Sequence, residues 1–166
     1  MLGGCKCFSC GDEILEHLTI DHIDNTGCVD RKIGLSGNGL YLAIVKGRYH
    51  QDKISNLRVS CWNHNLGRRR EYLDLPMEGQ VVKQKHKIKL WKEAFEFFGS
   101  CHCGISDLKF LSISHINNDG ADRRRNGEPT GPALLSRFHQ AGWPESLKDE
   151  FCLECFNCNC SDRFKN

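Results

Sequence analysis

Cysteine supplies the first chemistry in this sequence, with eleven thiols at positions 5, 7, 10, 28, 61, 101, 103, 152, 155, 158 and 160. Two ligands about two residues apart on one turn both reach a single Zn²⁺, and two such pairs complete its tetrahedron. Cys7 and Cys10 form one such pair, and Cys61 and His64 another. Later in the chain Cys155 and Cys158 repeat the spacing. Cys101 and Cys103 are one residue tighter, with Ser100 where a strict two-residue gap would place a thiol. Cys5 is an alternative to Cys7, and Cys152 or Cys160 an alternative ligand at the second set. The residues from Met1 to Cys7 have neither the basic nor the apolar stretch of an export signal. A reducing, cytoplasmic setting is therefore expected, where clustered thiols read as metal ligands before disulfides. An odd number of cysteines would also leave one thiol over in any disulfide framework.

A second kind of chemistry sits at Leu18-Thr19-Ile20-Asp21-His22. The alternation of Leu18 and Ile20 predicts a short strand ending on a carboxylate and an imidazole. Such a pair suits metal-assisted hydrolysis, because the carboxylate holds a hard cation and a neutral imidazole takes a proton from water. Asn65, next to His64, offers a carbonyl oxygen to the same cation. Two arginine triplets, Arg68-Arg69-Arg70 and Arg123-Arg124-Arg125, suit contact with a phosphate backbone.

These features occur twice. Cys10 to His22 and Cys103 to His115 both span 12 positions, and His22 to Cys61 and His115 to Cys155 span 39 and 40. Cys61-Trp62-Asn63-His64-Asn65 is matched by Cys155-Phe156-Asn157-Cys158-Asn159. The chain thus reads as a tandem duplication. Between the copies, Ile88, Trp91, Phe95 and Phe98 recur at helical steps and Gly99 is a stop, so 88–98 is predicted to be an amphipathic helix. The expected organisation is one unit over 1–75, a basic linker over 76–87 and a second unit over 88–166. The lysines from Lys83 to Lys89 read equally as a solvated linker or as a DNA contact. Each unit is too small to bury a large core, so each needs a metal staple. Short strands mixed with helices make the class α+β.

Composition narrows the function. With 166 residues, 27% charged and 39% hydrophobic, the chain is that of a folded protein and not a disordered tail. No run approaches the roughly 18 apolar residues of a membrane span. A net charge of +2 allows a nucleic-acid partner through local basic patches, not through a uniformly basic surface.

In order, the Cys pair, Ile20-Asp21-His22-Ile23-Asp24-Asn25, Asn56-Leu57-Arg58-Val59-x-Cys61 and a last ligand followed by Asn65 resemble the zinc-containing HNH endonucleases of phages and mobile introns. These belong to the His-Me finger, or ββα-metal, group. The resemblance covers nearly the whole chain in two copies. It extends to Gly131–Phe138 followed by Ala141-Gly142-Trp143-Pro144-Glu145, which looks like the phage version, with Gly39–Lys46 as the counterpart in the first copy. It implies tandem ββα-metal units, each with a structural zinc, and a DNA phosphodiester hydrolase in the cytoplasm, that of the host if the protein is phage-encoded. It makes His22 the base that activates water, Asp21 and Asn65 the holders of Mg²⁺ or a similar cation, and Asn56 the residue that fixes the loop. Cys7, Cys10, Cys61 and His64 become the first zinc site, and Cys101, Cys103, Cys155 and Cys158 the second. The second copy keeps His115 and Asn159 but has Ser114 for Asp21 and Glu150 for Asn56. It is therefore expected to bind DNA more than cut it, unless Asn117, Asn118 or Asp119 compensates. The rival class is a degenerate nuclease kept as a zinc-stabilised DNA- or RNA-binding module, for example within a ribonucleoprotein. A zinc adaptor for protein partners leaves Asp21-His22 unexplained.

Overall fold

A computed structural model describes residues 4–161, and the chain divides into two compact units, Met1–Asn65 and Leu66–Asn166. In the first unit, β1 (Leu18–His22) is followed by the short helices α1 (Gly27–Lys32), α2 (Asn38–Val45) and α3 (Gln51–Ile54). The chain then returns through β2 (Leu57–Cys61) straight into α4 (Trp62–Gly67). β1 and β2 pair antiparallel, with Leu18 opposite Cys61, Asp21 opposite Arg58 and His22 opposite Leu57. This register puts the end of β1 beside the start of β2, and the start of β1 beside the thiol of Cys61. The turn after β1 is built by polar side chains: Asp24 accepts the backbone N–H of Thr26 at 2.9 Å, which lets Asn25 take a positive φ of 66°.

The second unit repeats this order behind one long helix. α5 (Val82–Phe98) precedes β3 (Leu111–His115), α6 (Gly120–Arg125), α7 (Pro132–Gln140), β4 (Phe151–Cys155) and α8 (Phe156–Ser161). β3 and β4 pair antiparallel in the same register as the first hairpin, with Leu111 opposite Cys155, Ser114 opposite Cys152 and His115 opposite Phe151. α7 starts on Pro132, whose fixed φ suits a first turn, and buries Leu134, Leu135 and Phe138.

Two boundaries differ from the sequence expectation. The helix predicted over 88–98 begins at Val82, because nothing between Val82 and Ile88 breaks it, and it takes in the lysines assigned to a linker. The stretch 66–75 belongs to the second unit, since Leu73 and Tyr72 pack with Ile88, Leu90 and Trp91. The two cores are unequal. Among the described residues, Leu40, Ala43, Tyr49 and Leu57 form the buried cluster of unit 1, whereas thirteen buried residues gather around α5, α7 and β4 in unit 2. No described helix is long and apolar enough to cross a membrane.

Candidate metal centres and histidine sites

In unit 1 the ligand atoms of Cys7, Cys10, Cys61 and His64 lie within 4.8 Å of one another, and in unit 2 those of Cys101, Cys103, Cys155 and Cys158 do the same. Cys7 Sγ to His64 Nδ1 is 3.8 Å, Cys10 Sγ to Cys61 Sγ is 3.9 Å and Cys103 Sγ to Cys155 Sγ is 3.7 Å. A Zn–S bond of about 2.3 Å sets the edge of a tetrahedron at about 3.8 Å, so both sets have the size and chemistry of a structural zinc site. In each, a Cys loop supplies one pair, and the end of a strand running into a helix supplies the other.

The tighter Cys101/Cys103 pair is a shortened form of the same loop. Cys7 N–H donates to Asp12 O at 2.8 Å and Gly11 N–H to Cys7 O at 2.9 Å; in unit 2, Cys101 N–H donates to Ile105 O at 3.0 Å and Gly104 N–H to Cys101 O at 2.8 Å. Each loop closes on a glycine of positive φ, Gly11 at 75° and Gly104 at 89°. One residue is missing from the loop and the ligand geometry survives. Cys5, Cys152 and Cys160 are outside both sets.

The thiols are unevenly poised. At Cys7, backbone hydrogen bonds from Cys61, Cys10 and Ser9 outweigh burial and bring the thiol to about 7. Burial, reinforced by the neighbouring Cys7 and Cys10, pushes Cys61 up to about 12. Burial likewise raises Cys158, while at Cys103 hydrogen bonds from Ile105 and Cys101 overcome it. A cation at the centre favours the thiolate at every cysteine of such a cluster together.

At the end of β1 the side chains of Asp21 and His22 have different partners, as strand alternation requires. Asp21 is 2% exposed and its Oδ2 accepts from Arg58 Nε at 3.0 Å, across the hairpin. His22 meets Asp30 of α1, with Nε2 to Oδ2 at 2.9 Å, and the same carboxylate oxygen accepts the Tyr49 hydroxyl at 2.7 Å. A carboxylate only accepts, so this contact puts a proton on Nε2, and in the neutral ring the lone pair is then on Nδ1. Burial works to raise the Asp30 carboxyl, but the hydrogen bonds from Tyr49 and His22 outweigh it and hold the group below its usual range. Burial and Asp30 together push the Tyr49 hydroxyl up to about 12. Gly27 covers the other side of the ring: a Cβ there would stand 2.9 Å from His22 Nδ1.

Asn56 is hydrogen-bonded to the loop after His22. Its carbonyl accepts Ile23 N–H at 2.9 Å, Oδ1 accepts Asp24 N–H at 3.3 Å and Nδ2 donates to Thr26 Oγ1 at 3.4 Å. Hydrogen bonds from Asn56 and Thr26 also bring Asp24 down to about 2. Asn65 lies on α4, one residue beyond the zinc-type ligand His64.

Unit 2 carries a matching arrangement with different parts. His115 Nε2 meets Glu128 Oε2 at 2.6 Å, and a Cβ on Gly120 would approach His115 Nδ1 to 2.5 Å. Glu150 replaces Asn56, and its carbonyl accepts Ile116 N–H at 3.0 Å, as Asn56 does for Ile23. Ser114, His115 and Asn159 line one cleft of about 400 Å³.

The arginine triplets are not uniform. Arg70 lies over the Trp91 ring at 4.0 Å and donates to the Leu111 carbonyl, and burial lowers it to about 10; its charge serves the fold. Arg123 is held by Asp119 at 2.9 Å, Glu150 at 2.8 Å and Glu128 at 3.5 Å. Arg70 and Arg123 therefore differ from the expectation that whole triplets face a phosphate backbone, and Arg69 and Arg124 remain exposed.

Sequence reasoning missed Asp30, Tyr49, Arg31, Arg58 and Glu128. Arg58 was legible as the residue opposite Asp21 once the hairpin was drawn. Asp30 and Glu128 were not, because they stand 8 and 13 positions after their histidines and only the helix packing brings them there. No family model, curated protein or solved structure matches the chain.

Proposed function

We propose that the chain is a metal-dependent endonuclease that hydrolyses DNA phosphodiester bonds. In this reading both units are ββα-metal modules of the HNH kind, phage or homing in type, and unit 1 does the cutting. The observation that carries it is the buried chain Tyr49–Asp30–His22 at the end of β1, next to Asp21 and behind a zinc-type knuckle. A structural histidine needs no buried carboxylate that fixes its tautomer and no glycine that keeps a side chain off its second nitrogen.

Asp30 holds the His22 ring so that Nδ1 removes a proton from the attacking water, and the imidazolium that forms is stabilised by the same carboxylate. Asp21 and Asn65 would offer hard oxygen donors of the kind a small divalent cation takes. Such a cation supplies Lewis-acid stabilisation of the phosphate and the leaving oxygen. Arg58 balances the Asp21 charge within the hairpin and competes for that carboxylate. Arg31, whose guanidinium reaches the Gly27–His22 contact, neutralises the phosphate that is attacked. Asn56 keeps the loop after His22 in register.

The test is supercoiled plasmid incubated with the zinc-loaded protein, with and without Mg²⁺. Nicked or linear product that depends on Mg²⁺ is expected, and an intact plasmid under both conditions contradicts the reading. A second reading is a zinc-stabilised DNA- or RNA-binding module without catalysis. It is favoured by unit 2, where Ser114 and Cys152 replace the Asp21–Arg58 pair at the same register.

A further inference from the structure

We propose that the cleft beside His115 is a cation-independent binding site for a DNA phosphodiester, so that unit 2 grips the backbone without cutting it. This deepens the nuclease reading and rests on it for the identity of the polymer. The cleft, about 400 Å³, is lined by Ser114, His115, Asn118, Arg124 and Asn159, and none of its described lining residues is acidic. A hydroxyl, two amides and a guanidinium converging on one space are the groups that hold a phosphate oxygen.

Arg124 is the anchor. Within its triplet Arg123 is bound by three carboxylates and Arg125 pairs with Asp122 at 3.0 Å. Arg124 has no ion pair among the described residues and faces the cleft. Its charge is the one that an incoming anion would meet.

Comparing the two copies gives an independent line. The third to fifth residues of α1 are Val29-Asp30-Arg31 and those of α6 are Asp122-Arg123-Arg124, so Arg31 and Arg124 occupy the same place. His22, Arg31 and Asn65 of unit 1 are thus retained as His115, Arg124 and Asn159. The cross-strand pair Asp21 and Arg58 is replaced on both strands, by Ser114 and Cys152. What survives handles phosphate. What is gone is the carboxylate that a hard cation needs, together with the arginine that balanced it. Glu128 does not take over that role, because it is committed to His115 and Arg123.

The test is binding of a labelled short DNA duplex by the full zinc-loaded chain in Mg²⁺-free buffer, followed over a salt series. Arg124→Ala should flatten the slope of log affinity against log salt by about 0.9, the loss of one phosphate contact. Arg124→Lys should restore the slope. Ser114→Asp, which puts a carboxylate into the cleft, should weaken Mg²⁺-free binding on the order of tenfold. Zinc content measured on each variant shows that the unit is folded. Wild-type affinity and slope in both Arg124→Ala and Ser114→Asp overturn the proposal. Plasmid cleavage run alongside separates the two readings. Cleavage by the parent protein with unaltered Arg124→Ala binding removes only this inference. Weakened binding in a protein that never cuts DNA removes the nuclease reading and keeps this one.

Discussion

Asp30→Asn is the sharpest perturbation of the histidine site, because it changes one atom's chemistry and almost no volume. In the parent protein the carboxylate accepts from both His22 Nε2 at 2.9 Å and the Tyr49 hydroxyl at 2.7 Å. An asparagine has one acceptor. Both bonds end on Oδ2, so the single carbonyl oxygen of asparagine in that place accepts from both groups and the ring keeps its proton on Nε2. What is lost is the negative charge that would steady the imidazolium. General-base catalysis is worth about 10²–10⁴ in rate, and removing the charge that supports it should cost at least about tenfold. Tyr49→Phe gives the companion measurement. It removes a hydrogen bond to a charged group, about 1.5–3 kcal/mol, and should lower the melting temperature of unit 1 by about 10 °C while keeping the His22 tautomer. The assays are plasmid cleavage under Mg²⁺ and ¹⁵N NMR of the imidazole, the second of which reads the tautomer without any activity. An Nδ1–H tautomer in the parent protein, or Asp30→Asn cutting at the parental rate, refutes the reasoning.

Elemental analysis should find close to two zinc atoms per chain. Gradual chelation should unfold unit 1 before unit 2, because among the described residues the buried cluster of the first has four members and that of the second thirteen; loss of both in one step would show that the unequal cores do not matter. Acid should destabilise unit 1 in a defined window. Asp30 and Asp24 have folded values below their unfolded ones, so their contribution is complete above about pH 4 and is lost as pH falls toward 2; a melting temperature of unit 1 that stays flat from pH 5 to 2 contradicts this. Gly27→Ala should reduce cleavage although alanine favours a helix by about 1 kcal/mol, since its Cβ would press on His22 Nδ1; unchanged turnover would show that the space beside Nδ1 is not used.

The sequence made some features legible for a definite physical reason. Ligand pairs and the 12-position interval recur in both halves, so the two four-ligand sets and the strands Leu18–His22 and Leu111–His115 are legible in the sequence. Local patterns carry that kind of information. The start of α5 at Val82 was not legible from apolar periodicity, because the first turns of the helix are lysine-rich and expose a polar surface. Asp30 and Glu128 were hidden for a different reason. Each histidine takes its carboxylate from a different place in the chain, so the duplication itself gave no repeat to find. The same holds for Arg70 and Arg123, which look like free basic groups in sequence and are claimed by an aromatic ring and by three carboxylates in the fold.

The central claim, that unit 1 cuts DNA with His22 as its base while unit 2 holds the backbone, is tested most directly by the cleavage rates of His22→Ala and His115→Ala on the same plasmid with Mg²⁺, with zinc content and DNA binding checked in parallel. The expected result is a loss of at least about 10²-fold for His22→Ala, with binding and zinc retained, and continued cutting by His115→Ala. Equal losses in the two variants, or a loss confined to His115→Ala, would contradict the account.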